Sequence, residues 1–263
     1  MKLKQHLMFF LILLLILVSC AALWQWAGYS VTQVPADGGV RDLTGADFDS
    51  VCFDLFGPVE YIPNALLTPG EFEAKRDEIK IGDPEKEAAF STSRVRIYVP
   101  TGTYGLMLWN AEYAARIYIN GQFMESVGVP GSAAEDSTAN VRLLFYTVEA
   151  ASGVIELVQQ ASSFVASDGD SHANIIIGKP DIVRKNYDKQ KELPAILMGC
   201  FLALALAFLV LYSLLPVYRA NLWFSAFCFT WFIRTGCISP WVLSTFLPLP
   251  GMVILSGLPQ RAT

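Results

Sequence analysis

The chain has 263 residues, of which 53% are hydrophobic, and its mean hydropathy of +0.41 is high for a soluble globular protein. Its formal net charge of −5 argues against a nucleic-acid partner. The chain has two histidines and five cysteines, and Cys52 is the one cysteine in the middle of the chain, so neither a metal cluster nor an internal disulfide is expected there. We predict no cofactor and no metal.

The apolar residues concentrate at residues 7–27 and 194–258, on either side of a segment of ordinary polarity. Residues 1–28 are accordingly predicted as a signal peptide or signal anchor. At the start of the chain, Lys2 and Lys4 precede an unbroken apolar run. This pattern is typical of a cleaved signal peptide or an uncleaved signal anchor, and the letters "LVSC" would also fit a lipoprotein signal with Cys20 as the lipidated residue. Each of the three alternatives exports the middle of the chain.

Short runs rich in β-formers follow one another through the middle of the chain, with glycine or proline between them. The runs are residues 93–100, 104–110, 115–122, 140–148, 153–162 and 173–180. Asn120-Gly121 predicts a hairpin, because a type I′ turn needs positive φ at both central residues. We therefore expect an all-β jelly roll or β-sandwich over residues 41–183, after a linker at 29–40 and before a connector at 184–193.

Two apolar segments after the β-domain predict transmembrane helices, at residues 194–216 and 221–239. Arg234 in the second segment either reaches the nearer membrane surface or contacts another helix. Residues 240–263 form an apolar partial segment, as if the chain were truncated. The expected topology places the β-domain outside the cytoplasm. Basic residues before the first helix oppose this topology, although long exported domains cross largely regardless of their charge.

Arginine and aromatic side chains share one face of the predicted strands, while apolar residues such as Val95 and Ile97 form the other face. Aromatic rings can stack on the apolar faces of sugars, and arginine binds carboxylates through two parallel hydrogen bonds. The alternative is a solvent face stabilised by cross-strand Arg–Tyr pairs. The candidate ligand-binding residues are Arg96, Tyr98, Trp109, Arg116 and Tyr118.

Two further sets of acidic residues resemble known kinds of site. Asp168, Asp170 and His172 alternate along one loop, but the spacing and the bidentate glutamate of a calcium-binding EF-hand are absent, which favours a plain polar loop. A glycosidase needs two carboxylates at a defined separation, which a sequence does not provide. Its candidates would be Glu112, Glu125, Glu135 and Asp136. We predict that the chain is not an enzyme.

Several motifs occur in the order found in one family of bacterial receptors. They are "DLTGADF", "VEYIPNALLTPGEF", "SRVRIYVP" with the hairpin "ARIYINGQFMESVGVPG", and "IELVQQASSFVASDGDSHANIIIGKPDIV". In this order they resemble the seven-transmembrane receptors with diverse intracellular signalling modules (7TM-DISM). The chain departs from the family pattern before Phe164, where an asparagine is usual, and at Asp170, where a second glycine is usual. The resemblance spans residues 41–240 and about two of the seven helices.

The resemblance implies the extracytoplasmic sensing part of a bacterial transmembrane signalling receptor, located in the bacterial cell membrane as a multi-pass protein. Relatives carry a histidine kinase or diguanylate cyclase output, which this chain lacks. The implied partners are a small molecule, with carbohydrate as the candidate class, and the lipid bilayer, and a homodimer is one assembly that the sequence allows. The alternative is a membrane-anchored carbohydrate-binding or adhesion module without signalling output. A transporter subunit is a third hypothesis.

Overall fold

The computed structural model describes residues 31–35, 38–84, 87–164, 174–216 and 218–238. The chain divides into the units Met1–Val31 and Thr32–Thr263, and the two β-sheets and the helices belong to the second unit. Three predictions lie outside the described residues. They concern the signal segment 1–28, the loop with Asp168, Asp170 and His172, and the partial segment 240–263.

Within the described residues, eleven β-strands and three α-helices follow one another in the chain. The strands are β1 Val31–Pro35, β2 Val40–Asp42, β3 Cys52–Phe56, β4 Val59–Pro63, β5 Lys80–Gly82, β6 Phe90–Tyr98, β7 Gly102–Ile119, β8 Gln122–Val127, β9 Asn140–Ala150, β10 Val154–Ser162 and β11 Asn174–Gly178. The helices are α1 Pro69–Ala74, α2 Pro180–Leu214 and α3 Ala220–Ile238, and a 3₁₀ turn covers Arg76–Glu78.

The strands form a β-sandwich, as the sequence predicts. Sheet A contains β1, β3, β11, β9 and the first half of β7. Sheet B contains β2, β4, β5, β6, β8, β10 and the second half of β7. Strand β7 is shared because its register shifts between Asn110 and Tyr113, where it leaves β9 and continues into sheet B beside β10. The β3–β4 turn at Gly57 and Pro58 makes a second crossing between the sheets.

The apolar core lies between the two sheets. The face that alternation assigns to the core is buried, as predicted. Its members are Val95, Ile97, Val99, Ile117 and Ile119. Leu106 and Ile177 close the core from sheet A. Each such side chain stabilises the fold by about 1.5–3 kcal/mol when it leaves water.

The predicted hairpin turn at Asn120-Gly121 is confirmed, with φ of 50° and 77° at the two residues. Asn120 also does more than turn the chain. Its backbone N–H donates to the carbonyl oxygen of Glu156 at 2.8 Å, and its Oδ1 accepts from the N–H of the same residue at 3.0 Å. The turn therefore stabilises the start of β10 as well as the β7–β8 hairpin.

The structure differs from the sequence prediction in several elements. The runs 104–110 and 115–122, predicted as separate strands, are joined into the single strand β7. Strand β1 lies in the predicted linker at 29–40. Helix α1 lies between β4 and β5, within the predicted all-β domain, and Thr68 and Glu71 form a capping box at its start with hydrogen bonds of 2.7–2.8 Å. The predicted connector at 184–193 is part of α2, a single helix of 35 residues. Pro194 removes one backbone hydrogen bond from α2 without ending it.

Helix α2 is the one helix among the described residues that is long and apolar enough to cross a membrane. Helix α3 has 19 residues and packs against α2 as an antiparallel partner. At their contact, the Ser225 hydroxyl donates to the carbonyl oxygen of Ala205 at 2.7 Å, and the rings of Phe208 and Phe224 lie 4.5 Å apart. The Arg234 guanidinium lies over the ring of Trp231, which belongs to the same helix. This contact of Arg234 is therefore within α3 and does not involve α2.

Candidate functional site

The five candidate residues lie on both outer faces of the sandwich. Four of them belong to sheet B, where they alternate with buried core residues and therefore point outward. These four are Arg96, Tyr98, Arg116 and Tyr118. Trp109 belongs to the sheet A half of β7 and alternates with the buried Leu108. Trp109 thus points away from the other four and does not share their surface.

Arg116, Tyr118 and Phe123 form the part of the sheet B face that we call the open patch. The Arg116 guanidinium donates to the side-chain oxygen of Gln160 at 3.2 Å. The rings of Tyr118 and Phe123 meet edge to face with centroids 5.5 Å apart, and Phe123 is 56% exposed. An accessible aromatic pair beside a half-buried cation is suited to a ligand that has an apolar face and an anionic or hydroxylated edge.

Arg96 belongs to a cluster of ionic side chains in the middle of the same face. The Arg94 guanidinium contacts Glu60 and Glu73 at 2.6 Å each and Glu156 at 3.5 Å. Arg96 pairs with the second oxygen of Glu60. Because the side chains of Arg94 and Glu60 are 7% and 9% exposed, this pair is a buried one. Glu60 therefore already engages Arg96, which leaves it less free for a ligand than Arg116, whose partner is an uncharged amide.

Helix α1 and the residues before it cover this ionic cluster. Phe72 is fully buried, and the Arg94 guanidinium lies 4.9 Å from the centre of its ring. The Thr92 hydroxyl donates to the carbonyl oxygen of Ala65 and accepts from the N–H of Leu67, both at 2.8 Å. The cover lies over Arg94 and Glu60. The Arg96 side chain is 34% exposed, and Tyr98, Arg116 and Tyr118 are half-buried, so all four candidates on this sheet reach the surface.

Cross-strand Arg–Tyr pairs, the alternative for this face, are not the pairs that the register forms. Arg116 stands opposite Gln160 and Ser126, and Tyr118 stands opposite Val158 and Phe123. Arg96 stands opposite Glu156, and Tyr98 stands opposite Val154. On its other side, Arg96 stands opposite Val40 of β2 and Tyr98 stands opposite Asp42. None of these pairings sets an arginine opposite a tyrosine.

Of the acidic residues considered for a glycosidase pair, Glu125 is held by two neighbours. It accepts hydrogen bonds from the Tyr146 hydroxyl at 2.7 Å and from the Arg142 guanidinium at 2.8 Å. Burial, followed by the bond to Glu125, raises the pKa of Tyr146 above its usual range. Glu135 and Asp136 are exposed in the β8–β9 loop, and the side chain of Glu112 lies outside the described residues.

The outer face of sheet A carries the first turns of α2, in what we call the sheet–helix joint. Val183 of α2 is fully buried on the sheet, and the Asn186 amide donates to the Cys52 sulfur at 3.3 Å. Burial raises the pKa of the Cys52 thiol. A Cβ on Gly178 would lie 3.0 Å from both the Cys52 sulfur and a methyl of Val183. A side chain at this position would require the helix or the sulfur to shift by a few tenths of an ångström.

Aromatic side chains extend the joint along α2. The rings of Phe145 and Tyr187 lie 5.8 Å apart, and the Arg184 guanidinium lies 5.4 Å from the Phe145 ring. Arg184 also pairs with Asp188 one turn further along the helix. The joint thus combines an apolar contact, a buried amide–thiol contact and a cation–π contact within the first three turns of α2.

Beyond the joint, α2 and α3 expose apolar side chains on most of their surface. The exposed residues include Ile196, Leu206, Leu209, Val210, Leu214, Trp223, Phe227, Phe229 and Ile233. A helix that is apolar all round is stable only against lipid or further protein. The surface of this helical hairpin is therefore suited to contact with lipid or with further protein.

The sequence reasoning missed the joint, although its signal is present. Val183, Asn186 and Tyr187 are spaced i, i+3 and i+4, as residues on one helix face are. Two glycines, Gly105 and Gly178, mark the strands that the helix approaches. The charged residues between these positions concealed the helix, because they gave the segment the composition of a polar connector.

No protein-family model matches the chain, and no curated protein matches it. Among solved structures, the chain is similar to a beta-glucosidase from Kluyveromyces marxianus in complex with glucose, at 16% identity over 64% of this chain and 21% of that one, with a TM-score of 0.30. It is similar to a GH2 beta-galacturonidase from Eisenbergiella tayi bound to galacturonate, at 12% identity over 49% and 24% of the two chains, with a TM-score of 0.30.

A third similar structure is a family 35 carbohydrate binding module from Clostridium thermocellum, at 18% identity over 34% of this chain and 69% of that one, with a TM-score of 0.20. The chain thus spans about a quarter or less of the beta-glucosidase and the beta-galacturonidase. Likenesses of this extent do not establish what the chain binds. The β-sandwich rests on the strand pairing of the chain itself.

Proposed function

We propose that this chain is the extracytoplasmic sensing part of a bacterial transmembrane receptor, and that its sandwich binds a small molecule, with carbohydrate as the candidate class. The receptor family would be the 7TM-DISM family, whose motif order the sequence resembles, and the sandwich would then be its jelly roll. The proposal places the protein in the bacterial cell membrane with the sandwich outside the cytoplasm.

The observation that carries this proposal is the continuity of α2. One helix begins on sheet A at Pro180, packs Val183 and Asn186 against the sandwich, and continues as an apolar span to Leu214. An anchor needs only a flexible tether between its domain and the membrane. A helix that is packed at one end and unbroken to the other can pass a shift of the sandwich to the membrane as a rigid body.

The open patch supports the ligand-binding half of the proposal. Tyr118 and Phe123 offer ring surface to a sugar face, and Arg116 offers a cation to an acidic sugar. Arg116 and Tyr118 of the patch lie on β7, and the same strand contributes Gly105 to the sheet–helix joint. Ligand contacts on one half of β7 would therefore act on the strand that also supports α2.

The exposed apolar surface of α2 and α3 supports the membrane half of the proposal, with α3 as a second span. In the antiparallel contact, Phe201 stacks on Trp231. Arg234 lies about one turn beyond Trp231 along α3 and is therefore nearer than Trp231 to the sandwich end of the hairpin. From there its long side chain can extend towards the membrane surface.

The test uses the full chain in lipid nanodiscs, with glucose, galactose, N-acetylglucosamine and glucuronate as probes. Binding is measured by the shift in Tm, and amide hydrogen exchange is then compared with and without the sugar that binds. We expect protection around Tyr118 together with altered exchange in the first turns of α2. If none of the four sugars binds, carbohydrate is overturned as the ligand class.

Two variants separate sensing from simple anchoring. Arg116→Gln should weaken glucuronate binding about tenfold and glucose binding less, because a hydrogen bond to a charged group contributes about 1.5–3 kcal/mol. The matched control is Arg76→Gln, which changes an exposed arginine on the 3₁₀ turn.

A Gly-Ser-Gly insertion after Glu192 should leave sugar binding unchanged and abolish any change in hydrogen exchange beyond the insertion. Protection that never extends past the sandwich in the unmodified chain would favour the anchored binding module.

A further inference from the structure

A buried arginine lies between the two sheets, away from both the open patch and the sheet–helix joint. Arg41 of β2 is 2% exposed and stands opposite the core residue Ile97. Its terminal nitrogens donate to the carbonyl oxygens of Gly57 at 3.2 Å and Pro58 at 3.3 Å. These two residues form the turn that carries the chain from sheet A to sheet B, so Arg41 stabilises that crossing.

The charge of Arg41 is not balanced by an acid. Among the described residues, no carboxylate lies within ion-pair distance of its guanidinium, and its Nε–H is buried without a hydrogen-bond partner. Burial lowers the pKa of Arg41 to about 10, so the side chain still carries its charge at neutral pH. A buried charge and a buried unpaired donor are both costly unless a ligand compensates for them.

A cavity adjoins this side chain. Its volume is about 10 Å³, and Arg41 lines it together with Ser93, Gln159 and apolar residues of both sheets. That volume holds roughly one water-sized particle. Sulfate, phosphate and carboxylates have several heavy atoms and are therefore too large for it.

We propose that this cavity binds a single monatomic anion, which in ordinary salt solutions is chloride. The anion would accept the hydrogen bond from the Arg41 Nε–H and neutralise the guanidinium, while the Ser93 hydroxyl donates to it from sheet B. A water in the same place would satisfy the donor but leave the charge unbalanced. The bound anion would hold Arg41 in position against the Gly57–Pro58 turn and so strengthen the connection between the sheets.

The test is thermal unfolding of the full chain in nanodiscs at constant ionic strength, with chloride replacing gluconate step by step. We expect Tm to rise with chloride and to saturate, because a ligand that binds only the folded state stabilises it by mass action. Bromide should reproduce the effect, and sulfate should not. Equal Tm values in chloride and gluconate would overturn the proposal and would indicate water in the cavity.

Arg41→Met removes the charge and should abolish the response to chloride. If that variant does not fold, Ser93→Ala keeps the charge and should raise the chloride concentration needed for half of the effect at least several-fold. Arg76→Met is the matched control on the surface and should respond as the unmodified chain does. A full chloride response in Arg41→Met, or an unchanged one in Ser93→Ala, would contradict the site.

Discussion

The two outer faces of the sandwich are covered in different ways. Sheet A is covered by α2, a long helix that reaches the sheet because Gly105 and Gly178 carry no side chain. Sheet B is covered by α1, a helix of six residues that Arg94 holds through an ion pair with Glu73 and through the ring of Phe72. One cover depends on close packing, and the other depends on charge.

The difference has a physical consequence for the proposed function. Close packing leaves no free space between helix and sheet, so a helix that packs against glycines of the sheet moves with it. An ionic cover exchanges its partners more readily, because water and salt compete for each exposed member of the cluster. The face that carries α2 is therefore the rigid one, and the face with the open patch is the one whose cover can adapt.

Arg94→Met is expected to have the largest effect, at about 3 kcal/mol of unfolding free energy. The substitution leaves Glu60 buried with Arg96 as its remaining partner, and breaking a buried pair on one side costs about 3–5 kcal/mol. Chemical unfolding of the full chain measures the loss. Arg142→Met is the control, because its pair with Glu125 is exposed and contributes about 1 kcal/mol or less. Equal losses in both variants would contradict an ionic cover.

Gly178→Val should come next, at about 1–3 kcal/mol, because overpacking forces the neighbouring atoms apart. The new side chain would meet Cys52 and Val183, so α2 should lose protection from hydrogen exchange in its first turns while α1 keeps its own. Gly45→Ala is the control, since no heavy atom lies within 4 Å of the added Cβ. An α2 that stays protected in Gly178→Val would show that close packing does not hold it.

Asn186→Ala tests the polar contact within the same joint. Removal of the hydrogen bond to Cys52 should cost about 1 kcal/mol. The Cys52 thiol, whose pKa burial raises, should then react faster with a maleimide at pH 8, because a looser joint admits water and reagent. Equal reaction rates in the variant and the unmodified chain would show that the Asn186–Cys52 hydrogen bond does not keep the reagent out of the joint.

The smallest effect concerns Asp54 on the outer face of sheet A. Burial raises the pKa of Asp54 above its usual value, so its ionised form weakens the folded state once the pH exceeds the unfolded-state pKa near 3.8. Asp54→Asn should therefore raise Tm slightly at pH 7, and the gain should vanish as the pH falls below that value. Asp77→Asn on the exposed 3₁₀ turn is the control. A gain that is the same at pH 7 and pH 3 would contradict this cause.

Local patterns determined which residues of this chain form strands and which side of each strand faces the core. The alternation around Val95 and Ile97 predicts the buried face, and Asn120-Gly121 predicts its turn, because both depend on neighbours within a few residues. The apolar run after Pro194 predicts a helix of membrane length for the same reason. These expectations hold in the structure.

Tertiary structure alone decided which surfaces meet. The sequence places Trp109 and Tyr118 in two separate runs, which the structure joins into the single strand β7. They point to opposite outer faces because β7 changes sheets between them. Val183 and Cys52, and likewise Arg41 and the turn that it holds, come from distant parts of the chain and meet only after folding. Contacts over such separations depend on how the sheets pack, which no local spacing of residues encodes.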